Sequence, residues 1–209
     1  MNNPVRFRAG FFSTRIVNHQ ATILVAGAIV LIAGFRIARA TLMPELPNFS
    51  PLTAVAFCGG LLLPGALAWI LPFAALFVSD VALAGILGYP LLSGAQASVW
   101  LSLIAVTAFG RFLASKGGFD LPGFLCTLVA GSLLFYVVTN SMCWFLDPAY
   151  PRSWSGFWAC LTVGLPGYPP TWTFFRNSIV SDLIFSSMLL AVWVAAHASP
   201  RHRQLPVAA

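Results

Sequence analysis

Seven ionisable or amide side chains stand inside long apolar stretches of this sequence, where polar groups are costly and therefore informative. A charged side chain at the centre of a membrane-spanning helix costs at least about 2.5 kcal/mol on insertion scales, so it usually faces the protein interior and has a partner. Arginines hold anionic groups, and amides both donate and accept hydrogen bonds. Together these types could bind a small molecule. The seven are Arg36, Arg39, Asp80, Asn140, Arg176, Asn177 and Asp182.

Helical rise predicts that these groups lie at similar depths. At about 1.5 Å per residue, Arg36 and Asp80 lie roughly 22 and 24 Å from the beginnings of their predicted spans, and Asp182 roughly 14 Å from the beginning of its own. We therefore expect the seven on four helices around one outward-opening pocket. Asn48, in a loop, should line the same pocket, and Trp144 and Phe175 should contact a ring of the bound molecule.

Buried ion pairs are the alternative interpretation of the same residues. Asp80 with Arg36, and Asp182 with Arg39 or Arg176, could simply fix the register of neighbouring helices. A buried ion pair by itself is weak support for anything beyond structural specificity. The sequence leaves both interpretations open.

Composition places the chain among membrane proteins that cross the bilayer several times. It has 209 residues, of which 59% are hydrophobic and only 8% charged, whereas soluble domains carry about 25% charged residues. Lys and Arg number 11 against 5 for Asp and Glu. In a membrane protein this excess indicates orientation rather than nucleic-acid binding.

The apolar runs predict an all-α bundle of about six transmembrane helices in one domain, residues 21–197, with an additional interfacial helix. The run 52–63 is short and contains Gly59 and Gly60, so it is either a short span or a re-entrant segment. Trp154, Phe157, Trp158 and Leu161 follow the spacing of an amphipathic helix at the membrane surface. The predicted spans are 21–43, 52–63, 64–87, 95–114, 121–146 and 172–197.

Basic flanks predict the orientation. Six spans place the basic N-terminal arm (1–20), the turn with Arg111 and Lys116 and the basic tail (198–209) on one side of the membrane. Positive loops favour the cytoplasm. We expect both termini there, in the inner (plasma) membrane of the cell.

No pattern indicates catalysis, a metal site or a cofactor. The HExxH, GxSxG and Walker motifs are missing from the sequence. The four cysteines, Cys58, Cys126, Cys143 and Cys160, lack metal-ligand spacing. Any ATP-driven step would therefore need another subunit, and we expect the protein not to be an enzyme.

Four short motifs carry a resemblance over about residues 25–195. They are Asn48-Phe-Ser-Pro51, Val78-Ser-Asp80, Val138-Thr-Asn140 and Phe175-Arg-Asn177 continuing to Ser181-Asp182. In these the chain resembles a family of uncharacterised small bacterial membrane proteins. That family in turn is similar in fold to the S components, the substrate-binding subunits of energy-coupling-factor (ECF) vitamin transporters.

The resemblance to S components implies six helices and an outward-facing pocket for a vitamin-like molecule. It also implies docking of a transmembrane coupling subunit, driven by ATPases, on the first helix. The small residues Gly27, Gly34 and Ala38 form a stripe there along which another helix could approach closely. The leading hypothesis is thus a substrate-binding membrane protein. The alternatives are a structural or assembly protein and a small membrane enzyme.

Overall fold

The described part of the chain is entirely helical. A computed structural model describes residues 19–116 and 120–197, and no strand occurs among them. The seven helices found there are α1 (His19–Leu42), α2 (Leu52–Leu62), α3 (Leu67–Leu87), α4 (Gly94–Ser115), α5 (Leu121–Leu146), α6 (Trp154–Leu161) and α7 (Trp172–His197). The predicted tail and all but the last two residues of the predicted N-terminal arm lie outside the described residues.

Five of these helices are long and apolar enough to cross a membrane, which confirms the prediction of an all-α protein embedded in the bilayer by several helices. They are α1, α3, α4, α5 and α7. The predicted span 52–63 is the shorter helix α2, whose 11 residues extend only about 16 Å. A hydrocarbon core is about 30 Å thick.

The short helix α2 forms the centre of the bundle. Its residues from Leu52 to Leu61 are all buried, and it packs against α3, α4, α5 and α7. Glycines permit the closest of these contacts. A Cβ on Gly60 would lie 2.3 Å from the Thr107 carbonyl oxygen, and one on Gly110 would lie 2.4 Å from that of Phe57. Small residues therefore bring the backbones of α2 and α4 together, as in other membrane helix pairs.

Polar residues cap the first turns of α4 and α5, and a glycine ends α3. Ser93 accepts a hydrogen bond from the Gln96 amide at the start of α4, at 3.0 Å. Asp120 does the same for the Gly123 amide at the start of α5, at 2.9 Å. Such caps satisfy amides that have no partner within the helix. Gly88 ends α3 with φ of 72°, a left-handed conformation that favours glycine.

Helix α6 is present, but its tryptophans do not form the packed face. Trp154 and Trp158 are 79% and 60% exposed, whereas Gly156 and Cys160 are buried, and α6 packs against α5. A Cβ on Gly156 would lie 2.1 Å from the Pro151 carbonyl oxygen. A larger residue at position 156 would therefore collide with the loop that leads into α6, and the small residues of α6 form its buried side.

Helix α1 lies at the edge of the bundle and packs mainly on α3. Of its residues with described side chains only Ala33 is buried. The predicted stripe of small residues faces outward, since nothing lies within 4 Å of a Cβ built on Gly27 or Gly34. Ala38, further along the stripe, is half-buried.

Candidate functional site

A cavity of about 310 Å³ opens where α1 and α3 end and α4 begins. The loops 43–51 and 88–93 complete its wall. Its polar lining residues are Arg36, Arg39, Asp80, Tyr89 and Gln96. Its apolar lining residues are Ala40, Pro44, Pro47, Leu83, Pro90 and Leu91.

Asp80 is held by two helices at once. One carboxylate oxygen, Oδ1, accepts a hydrogen bond from Nη1 of Arg36 in a salt bridge, and Oδ2 accepts one from Nε2 of Gln96. The same Arg36 nitrogen donates to the Ser79 hydroxyl at 2.6 Å, while that hydroxyl donates to the Ala75 carbonyl at 2.8 Å. The predicted pairing of Arg36 with Asp80 is thus confirmed. Helices α1, α3 and α4 are joined by one polar network.

Arg39 lies one helical turn after Arg36 and lines the same cavity. Its Nε is buried without a hydrogen-bond partner. Within residues 19–116 and 120–197, the Arg36–Asp80 contact is the one salt bridge, so no carboxylate neutralises Arg39. Two guanidinium groups and one carboxylate therefore leave the polar lining with a formal charge of +1.

The wall formed by loop 43–51 is attached to α7. Nδ2 of Asn177 donates to the Pro47 carbonyl at 3.0 Å, and the Ser181 hydroxyl donates to the Ser50 carbonyl at 3.2 Å. Nη2 of Arg176 in turn donates to Oδ1 of Asn177 at 3.1 Å. Asn177 and Arg176 thus belong to the support of the cavity wall and not to its lining.

Asn48 stands in this loop with φ of +60° and is exposed. Asparagine tolerates this left-handed conformation better than other residues with a side chain, apart from aspartate. The geometry gives Asn48 a conformational role in shaping the loop, and its side chain does not line the cavity. Asn48, which was predicted to line the pocket, is thus not among the residues that the structure brings to this cavity.

Replacing Asn48 should separate the backbone role from any side-chain role. Asn48→Gly should leave the denaturation midpoint unchanged or slightly raised, because glycine adopts positive φ without strain. Asn48→Val should destabilise the protein by about 1–3 kcal/mol, because a β-branched residue is strained there. Chemical denaturation in detergent measures both. Equal losses for glycine and valine would show instead that the amide side chain matters.

Asp182 lies in the core of the bundle, away from the cavity. It is 1% exposed, and its Oδ2 accepts a hydrogen bond from the Ser132 hydroxyl of α5 at 2.7 Å. Its Oδ1 and the Ser186 hydroxyl one turn later are also buried, and the Ala54 backbone and the Cys58 thiol of α2 lie beside them. The predicted pairing of Asp182 with Arg39 or Arg176 is wrong. The carboxylate faces α5 and α2, whereas Arg176 faces outward at the beginning of α7.

The remaining predicted residues gather beside α6. Nδ2 of Asn140 donates to the Tyr136 carbonyl of its own helix at 2.8 Å. Nε1 of Trp144 donates to the Pro151 carbonyl at 2.9 Å, and the Phe175 ring lies 4.9 Å from that of Tyr136. None of the three predicted residues lines the cavity. Trp144 joins α5 to the loop before α6, Phe175 joins α7 to α5, and the Asn140 side chain bonds within α5. This arrangement differs from the predicted single pocket.

Tyr150 and Cys160 are the notable titratable groups near α6. Burial raises the pKa of Tyr150 to about 12 and that of the Cys160 thiol to about 11. Both groups are therefore neutral at pH 7. Neither supplies an ionised nucleophile or a base there.

Gln96, Ser79 and Tyr89 were missed by sequence reasoning. Depth along the helices gave no signal for Gln96, because residues on α3 and α4 lie at equal depth only when they are equally far from the short connection between the two helices. Asp80 precedes Gly88 by two helical turns, and Gln96 follows Ser93 by about one. Uncharged polar residues in apolar helices are also common, and their types alone did not distinguish these three.

Comparison with known proteins supports membership of one family. A model of a family of unknown function, DUF6580, matches residues 17–205. No curated protein and no solved structure is significantly similar to the chain. The family match includes all seven helices and every residue of the cavity. The chain therefore belongs to the DUF6580 family.

Proposed function

We propose that the protein binds a small molecule in the cavity, as the substrate-binding subunit of a membrane transporter. The cavity itself carries this proposal. Its volume of about 310 Å³ lies at the lower end of the range of about 300–1,000 Å³ for ligand pockets. Its wall combines six apolar residues with polar groups that converge on one space, and polar groups converging in an apolar wall are also a feature of such sites. In this role the protein holds its ligand without altering it chemically.

The proposal includes the partners and the orientation that the resemblance to S components implies. The ligand would be a vitamin-like molecule entering from outside the cell, with both termini in the cytoplasm and the bundle in the inner membrane. A coupling subunit driven by ATPases would dock on the outer face of α1. The open space beside Gly27 and Gly34 leaves room for a close helix–helix contact there.

Filling the cavity tests this function. Ala40 lines it, so Ala40→Phe should abolish the increase in thermal stability produced by whichever vitamin-like compound stabilises the purified protein. Ala26 is exposed and lies on the same helix, 14 residues before Ala40, which is about 21 Å along the helix axis, so Ala26→Phe should keep the full response. The measurement is a thermal-stability screen in neutral detergent. Loss of the response in both variants, or in neither, would contradict binding in this cavity.

A structural role is the second candidate, and one observation favours it. Both oxygens of Asp80 are occupied by protein groups, Arg36 and Gln96, so this network is complete without a ligand. If it serves only to fix helix register, no compound should stabilise the protein through the cavity. Apolar replacement of the ion pair, treated in the Discussion, distinguishes the two candidates.

A further inference from the structure

We propose that the ligand carries a single carboxylate on a mainly apolar body, and that the guanidinium of Arg39 holds this carboxylate. The inference rests on the proposed function, that the cavity binds a small molecule, and specifies the chemical class of that molecule. It also divides the two arginines between two tasks. Arg39 contacts the ligand, and Arg36 supports the cavity wall.

Arg36 is committed within the protein. It donates to Asp80 and to Ser79, and its side chain is only 16% exposed. Gln96 occupies the other oxygen of Asp80. Both oxygens of this carboxylate thus accept hydrogen bonds from other residues, and the salt bridge of Asp80 is with Arg36 and not with Arg39.

Arg39 lacks an equivalent partner. Its Nε is buried and unbonded, which costs free energy because a buried donor without an acceptor loses its hydrogen bonds to water, and the residue as a whole is half-buried. The planar guanidinium fork matches a carboxylate through two parallel hydrogen bonds. An anionic group in the cavity would therefore satisfy both the charge and the donors of Arg39.

The formal charge of the lining limits the ligand to one such group. Arg36, Arg39 and Asp80 sum to +1, so one carboxylate neutralises the cavity. A second carboxylate would stand in an apolar surrounding without a cation, which is unfavourable. The rest of the lining consists of Tyr89, of Gln96, whose amide already donates to Asp80, and of six apolar residues from α1, α3 and both loops. This lining suits an uncharged, mainly apolar body.

Paired acids and amides test the charge of the ligand. The full-length protein, in phosphatidylcholine nanodiscs that carry no net charge, is titrated with benzoate, hexanoate, benzamide, hexanamide and the dicarboxylate phthalate at millimolar concentrations. We expect the two monocarboxylates to raise the unfolding temperature, and the amides and phthalate to have little effect. Binding of the amides as strong as that of the acids, or no stabilisation by either acid, would overturn the inference.

Variants of Arg39 test which residue holds the carboxylate. Arg39→Gln should weaken binding of benzoate about 10- to 100-fold, because it removes a charge-assisted hydrogen-bonded contact. Arg39→Lys keeps the positive charge but loses the two parallel hydrogen bonds of the guanidinium. Its affinity for benzoate should therefore lie between those of the unmodified protein and Arg39→Gln. Arg111→Gln is the matched control. It removes the same charge at the far end of α4, where Arg111 contacts the Gly65 carbonyl, and it should bind benzoate normally.

The outcomes separate this inference from the function on which it rests. If the amides bind and Ala40→Phe abolishes this binding, the cavity remains a ligand site but the carboxylate assignment is overturned. Undiminished benzoate binding in Arg39→Gln, with that variant folded by circular dichroism, would overturn the role of Arg39. If neither Arg39→Gln nor Ala40→Phe changes the affinity for any compound that binds, both the inference and the proposed function are contradicted.

Discussion

Asp80→Asn should destabilise the folded protein by roughly 3–5 kcal/mol, because breaking a buried ion pair leaves an uncompensated charge. The substitution keeps the shape of the side chain and removes only the charge and one acceptor. Arg36 would then lie in the bundle with neutral acceptors, the Ser79 hydroxyl and the amide oxygen of the new side chain, and without a counter-charge. Unfolding measured by denaturant titration in mixed micelles should show the loss as a lower midpoint.

Apolar replacement of both partners is the informative control. Replacing a buried ion pair by apolar residues of similar volume is often neutral or stabilising, so Arg36→Met with Asp80→Leu should recover most of the stability lost in either single variant. A double variant as unstable as the single ones would show that the charges are not the cause. A double variant that is stable but no longer responds to ligand would favour binding over a structural role.

Gly110→Ala should destabilise the protein by about 1–3 kcal/mol through the contact between α2 and α4. The added methyl group would lie 2.4 Å from the Phe57 carbonyl oxygen and 3.1 Å from the Leu61 amide nitrogen. Both are backbone atoms of the most buried helix, so α4 must move away to accommodate it. The free energy of unfolding in detergent measures the effect.

Gly27→Ala provides the matched control with the opposite sign. Nothing lies within 4 Å of the added atom, and alanine favours a helix over glycine by about 1 kcal/mol. We therefore expect an unchanged or slightly raised midpoint. Equal destabilisation by the two substitutions would mean that the close approach of α2 and α4 does not limit stability.

The helices themselves were largely predictable from the sequence. Runs of about twenty apolar residues, interrupted by Pro44, Pro51 and Gly88, mark where helices of spanning length begin and end. The rise of 1.5 Å per residue then gives depth along each helix. Arg36 and Asp80 have similar calculated depths on parallel helices, which made their pairing one of the two interpretations of the sequence, and in the structure they form a salt bridge.

Depth does not determine which way a side chain points around the helix axis. Arg39 and Asp182 could have been partners by depth, yet one faces the cavity and the other the core against Ser132. An amphipathic pattern would normally indicate the buried face. In nearly uniform apolar helices such as α7 that pattern is too weak to do so.

Composition and charge in the sequence thus determined a membrane-embedded helical protein and the depth of its polar groups. Only the tertiary structure decided that α2 lies fully buried at the centre, that loop 43–51 is attached to Asn177 and Ser181, and that the predicted residues divide among a cavity, a core and a contact beside α6. The physical reason is that lipid and protein interior are almost equally apolar. Close backbone packing at glycines such as Gly60 and Gly110, together with a few hydrogen bonds between helices, therefore determines how the helices are rotated and which neighbours they contact.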